Sequence, residues 1–215
     1  MMQNPTPSAA GRSSLLMQQV DRVRAELRQS LPSQLAFRTG ATYEAFQSGR
    51  GIFKLPVWGQ AVQISFPEWV ATDLEGRQLN PIVQALLVYH FHTSDGSPAA
   101  GHYIAFSALQ DGRFYAQAFQ SYTGDEIYRV FGDDLPRFTT AARQKGGDPH
   151  SLGDAGFTFP FLPRLGMAIV YWRGDEDFPS NYQILFDAAA SHHLPTDACA
   201  IAGSTLTNKL ARLPG

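Results

Sequence analysis

The residues best suited to chemistry gather late in the chain. Between Tyr171 and Gly203 stand Asp175, Glu176, Asp177, Asp187, His192, His193 and Asp197, set between apolar, strand-like runs and a final helix. Charged groups so close to apolar sequence need water, partners or a task, because burying a charge unpaired is costly. Gly174–Pro179 (GDEDFP) reads as a turn between two neighbouring strands. Its consecutive carboxylates repel one another, which raises the proton affinity of at least one unless a hard cation such as Ca²⁺ or Mg²⁺ intervenes. The bland alternative is a solvated turn in which Asp175 accepts backbone N–H bonds and Phe178 anchors the loop in the core. Asp187 can orient an imidazole, so one of His192 and His193, with Asp187 and a carboxylate of the acidic turn, could form a mixed nitrogen and oxygen site. The alternative here is capping or packing, since His-His-Leu-Pro-Thr leads straight into the last helix.

Upstream, His90-Phe91-His92 and His102 invite a metal reading. If the helix opened by Asn80 continues through them, positions 90 and 92 lie about 200° apart and cannot share an ion. The helix signal is the stronger, so these histidines are expected to end a buried helix, with one imidazole hydrogen-bonded. Ser65, Ser107 and Ser121 lack the surroundings of a nucleophile elbow. The single cysteine, Cys199, excludes an intrachain disulfide and any cluster held by several of the chain's own thiolates. It falls in an apolar stripe and reads as core.

The elements that must hold these groups follow from periodicity. Leu16, Val20, Val23 and Leu27 mark one stripe of a helix capped by Ser13 or Ser14 and stopped at Leu31-Pro32. From Leu35 to Val70 the sequence reads as strands, with runs 52–55 and 61–66 joined by a loop of Pro56-Val57-Trp58-Gly59. Asn80-Pro81 opens a helix apolar on nearly every face, which should be buried. His102–Phe106 is a short strand or edge. A helix over 125–131, another capped by Asp134, strands over 156–161, 167–173 and 182–187, and a final helix capped by Thr196 complete the order. Strands and helices do not alternate, so a parallel doubly wound sheet is disfavoured. The expected fold is α+β: an antiparallel sheet covered by helices, in a single domain over 14–215 behind a flexible leader over 1–13.

Composition narrows the function. With 17 Lys and Arg against 19 Asp and Glu, no basic balance points to nucleic acid. No apolar run approaches the roughly 18 residues of a membrane span, and the polar N-terminus lacks the apolar centre of a secretory signal, so a cytoplasmic location is the default expectation.

The GDEDFP turn, the run ending Leu185-Phe186-Asp187, and His193 beside Leu194-Pro195-Thr196 resemble the closing signature of a bacterial and archaeal family known only as a domain of unknown function. Residues 86–109 and 114–132 are similar to it as well, so the resemblance covers roughly 80–213. Some members of that family are joined to iron–sulfur or corrinoid-associated segments, which implies a neighbourhood of redox or tetrapyrrole cofactors. This chain has no such cysteine-rich segment. The family supplies no established catalytic residue to carry over.

The expected function is a binding or accessory protein. It would hold a small ligand, a cofactor or a protein partner near Asp175, Glu176, Asp177, Asp187, His192 and His193. The competing expectation is a metal-dependent hydrolase or lyase, with an Asp/His set activating water and Glu176 as general base. A third is that Asp175 and Asp187 only fasten turns, with the functional surface elsewhere, around 114–131.

Overall fold

The computed structural model describes residues 19–211. The leader and the proposed Ser13 or Ser14 cap lie outside the described residues. Helix α1 (19–27) buries Val20, Val23 and Leu27, the stripe expected from their spacing. Pro32 does not merely stop it. Because its fixed φ suits the first position of a helix, it starts α2 (Pro32–Thr39), with Gly40 at φ 75° ending it. Leu35 therefore faces the core from a helix and not from a strand.

Sheet one is antiparallel, in the order β1 (Thr42–Ala45), β2 (Gly51–Val57), β3 (Gln60–Phe66), β4 (Ala71–Thr72). Alternation sends Phe53, Leu55 and Val57 inward beside Val62, Ile64 and Phe66. The β2–β3 connection is tighter than the sequence suggested. Val57 pairs with Gln60, leaving only Trp58 and Gly59 in the turn, both at positive φ (51° and 74°). That is the backbone of a type I′ hairpin, whose twist matches the strands it joins.

Helix α3 (Pro81–Thr93) begins as expected: the Asn80 side chain accepts from the Val83 amide at 3.0 Å. It is buried from Ala85 to Phe91. Phe91 meets Phe53 and Trp69 at ring separations of 4.8 and 5.2 Å, which joins sheet one to the interior.

Sheet two has the order β5 (Tyr103–Ala105), β9 (Asn181–Asp187), β8 (Leu165–Trp172), β7 (Ala155–Leu162), β6 (Asp148–His150), all antiparallel. Helices α4 (Ala116–Ser121), α5 (Gly124–Phe131) and α6 (Leu135–Gln144) lie between β5 and β6 in the chain. Asp134 caps α6 through the Arg137 amide at 3.0 Å. Helix α7 (Thr196–Ala211) buries Cys199, Ala202, Leu206 and Leu210. Thr196 does not cap it. The residue already lies in the helix and its hydroxyl donates to the Gln110 carbonyl at 2.7 Å.

The architecture is α+β, and the strands form two antiparallel sheets sharing one hydrophobic core. No helix among the described residues is long and apolar enough to cross a membrane.

Candidate functional site

The acidic turn and the histidine pair do not meet. The turn joins β8 to β9 at Asn181, whereas Asp187 and the histidines follow the other end of β9. A seven-residue strand separates its ends by about 20 Å.

Within the acidic turn, Asp175 works on the backbone. One carboxylate oxygen accepts from the Asp177 and Phe178 amides, each at 2.9 Å, and the Asp175 amide donates to the Phe178 carbonyl at 2.9 Å. Ser180 adds a tie, accepting from the Gly174 amide at 2.8 Å and lying 3.1 Å from the Tyr171 hydroxyl, which donates to Asp133 at 2.7 Å. Phe178 is not the anchor the sequence suggested, being 71% exposed. The turn is held by hydrogen bonds, so the ring is free to face water. Glu176 and Asp177 are exposed and make no ion pair among the described residues. Asp175→Ala should lower stability by about 1 kcal/mol. It should also speed hydrogen exchange at the Asp177 and Phe178 amides, and unchanged exchange there would refute the brace.

Asp187 closes β9 and is buried. One of its oxygens accepts from the Ala100 and Ala189 amides, each at 2.9 Å, and the other accepts from Gly101 at 3.0 Å. Both oxygens are thus committed to main-chain donors. No group of three or more His, Cys, Asp or Glu side chains among the described residues is arranged to hold a metal ion.

Asp187 fixes the far end of an irregular loop, 94–101, whose near end is fixed by histidines. His192 is exposed. Its Nδ1 lies 2.6 Å from Asp95 and 3.2 Å from the Ser97 hydroxyl. The hydrogen bond with His192 holds the Asp95 carboxyl well below the usual carboxylate range. His193 turns inward beside His90, both wholly buried. The Ser94 hydroxyl bridges them, 3.0 Å from His90 Nδ1 and 3.1 Å from His193 Nδ1. Arg164, in the β7–β8 turn, bonds the Gly96 carbonyl and, at 2.9 Å, the Phe37 carbonyl.

That bridge dictates tautomers. Ser94 has one proton and no other acceptor, so it donates to one Nδ1 and accepts from the other. One ring is then protonated on Nε2 and the other is bare there. The His193 carbonyl, 3.4 Å from His90 Nδ1, can only accept, which places the Nδ1 proton on His90. Among the described residues neither Nε2 makes a hydrogen bond of good geometry. Burial first, and the neighbouring His193 second, push His90 down to about 3; burial likewise lowers His193, against the pull of Asp95. Both rings are neutral at pH 7. His92, two residues from His90, points out to Glu26 at 2.9 Å, as helical geometry requires.

Sequence reasoning missed Ser94 and Arg164 as partners of this segment, although the Asp95–Pro98 turn was legible. It also missed a hollow on the other side of residues 191–197. That hollow measures about 540 Å³ and lies between the Leu109–Tyr115 stretch and the start of α7. Asp111, Phe114 and Tyr115 line one wall; Leu194, Pro195 and Asp197 line the other; among the described residues no Lys, Arg or His side chain contributes. Phe114 is 82% exposed.

Residues 32–209 match the model of DUF3786, a domain of unknown function. The chain belongs to that family. The DUF3786 match starts well before residue 80, so α2 and sheet one, which carried no resemblance by inspection, are part of the shared domain. No curated protein and no solved structure matches the chain.

Proposed function

We propose that this DUF3786 protein is a binding module, and that its ligand is a small organic cation with an apolar body, held in the hollow beside residues 191–197. The hollow's lining carries the reading: Asp111 and Asp197 supply negative charge, Phe114 and Tyr115 supply aromatic faces, and no basic side chain among the described residues lines it. Aromatic faces and carboxylates together favour ammonium groups. The far wall is preorganised, because the segment that forms it is tied through His192 to Asp95 and through His193 to Ser94. A rigid wall lowers the ordering cost of binding.

Backbone amide NMR with phenethylammonium and its uncharged counterpart 2-phenylethanol tests the reading. The cation should shift amides of 110–115 and 191–197 and the alcohol should not. Asp197→Asn should weaken the cation by about tenfold or more. Equal response to both compounds, or to neither, would overturn it.

A further inference from the structure

Trp58, at the tip of the β2–β3 hairpin, holds φ at 51°, a left-handed conformation that is costly for a bulky residue. Several contacts keep it there. Its amide donates to the Phe161 carbonyl at 2.9 Å, and its ring packs on Phe161 at 4.4 Å. This pinned side chain has an indole N–H that is shielded from water and meets no acceptor among the described residues. A buried donor left without an acceptor is costly.

Lys209, on α7, sets its ammonium 5.3 Å from the centre of the Trp58 ring. The cation–π contact accounts for that position. It does not account for the indole N–H. Lys145, just past α6, adds its repulsion to burial in lowering the Lys209 pKa. Among the described residues neither lysine meets a carboxylate. An ammonium that meets no carboxylate and a neighbouring donor that meets no acceptor lack the same thing, an anion.

We propose that Trp58 and Lys209 form a binding site for a small oxyanion, a carboxylate or phosphate group. One oxygen would accept from the indole, and Lys209 would supply the charge. Lysine suits this as a flexible point charge whose stem can swing aside to admit the anion.

The test follows the indole N–H resonance of Trp58, assigned by its loss in Trp58→Phe, while sodium acetate or sodium phosphate replaces chloride at constant ionic strength. A saturable shift with both anions marks a general oxyanion site, and a shift with phosphate alone restricts it to phosphate groups. Lys209→Met keeps the stem and removes the charge, and should weaken the anion by about tenfold or more. Trp58→Phe, read by the Lys209 side-chain resonances, should weaken it as well. A resonance that neither anion moves, or that responds equally in Lys209→Met, overturns the site. The probe is an anion, so failure here leaves the cation-binding hollow untouched.

Discussion

Asp187→Ala is expected to destabilise the protein by about 3–5 kcal/mol, a large share of the roughly 5–15 kcal/mol that holds a typical domain together. The loss follows from removing the one acceptor shared by the amides of Ala100, Gly101 and Ala189, of which Ala189 is buried. Their carboxylate partner makes these bonds charge-assisted and therefore stronger than neutral ones. Asp187→Asn should fall between wild type and alanine. Its one carbonyl oxygen can still serve Ala100 and Ala189, but its amide nitrogen would face the Gly101 N–H, donor against donor. Urea unfolding of the three proteins measures the series. If Asp187→Ala cost less than about 1 kcal/mol, the carboxylate would not be the fastening of loop 94–101.

The second large effect is on acid stability. His90 titrates at about 3 in the folded protein and near 6.5 when unfolded. The folded value is the lower one, so the unfolded chain binds the extra proton. The contribution of the neutral ring is complete above pH 6.5 and is lost as pH falls from 6.5 toward 3. At pH 5 the loss is about 2 kcal/mol from His90 alone. His193, lowered in the same direction, adds to it. The window above pH 5 isolates these histidines, because Asp95 and other carboxylates held low begin to cost stability only near and below pH 4. Denaturant unfolding at pH 7, 6 and 5 should show the fall, and His90→Leu should flatten it by close to one proton. A slope that His90→Leu leaves unchanged would mean that the ring is already charged in the fold.

Much of the fold was legible because it is encoded locally. Val20, Val23 and Leu27 mark a helical face by their spacing, and Val62, Ile64 and Phe66 mark a strand face by theirs. Asn80 and Asp134 announce helix starts through short side chains that reach amides three residues ahead. Where the reading slipped, a local signal had two meanings. Pro32 both ends one helix and begins the next, and the run 56–59 shortened to a two-residue turn because Trp58 accepts a positive φ.

The candidate sites were less legible, and for a physical reason. Sequence determined which residues could do chemistry: the GDEDFP turn, Asp187, His192, His193, and His90 and His92 on different faces of one helix. It also determined that Cys199 is core. Tertiary structure alone decided which of them meet. The acidic turn and the histidines looked adjacent because few residues separate them, yet β9 is extended and carries them to opposite ends. Ser94 and His193 stand 99 residues apart in the chain and meet through one hydroxyl. Residue type likewise said nothing of Phe178's exposure or of Trp58's unpartnered indole. Burial and hydrogen-bond satisfaction are properties of what the rest of the chain places nearby, and that is fixed by packing between elements whose local patterns carry no address for one another.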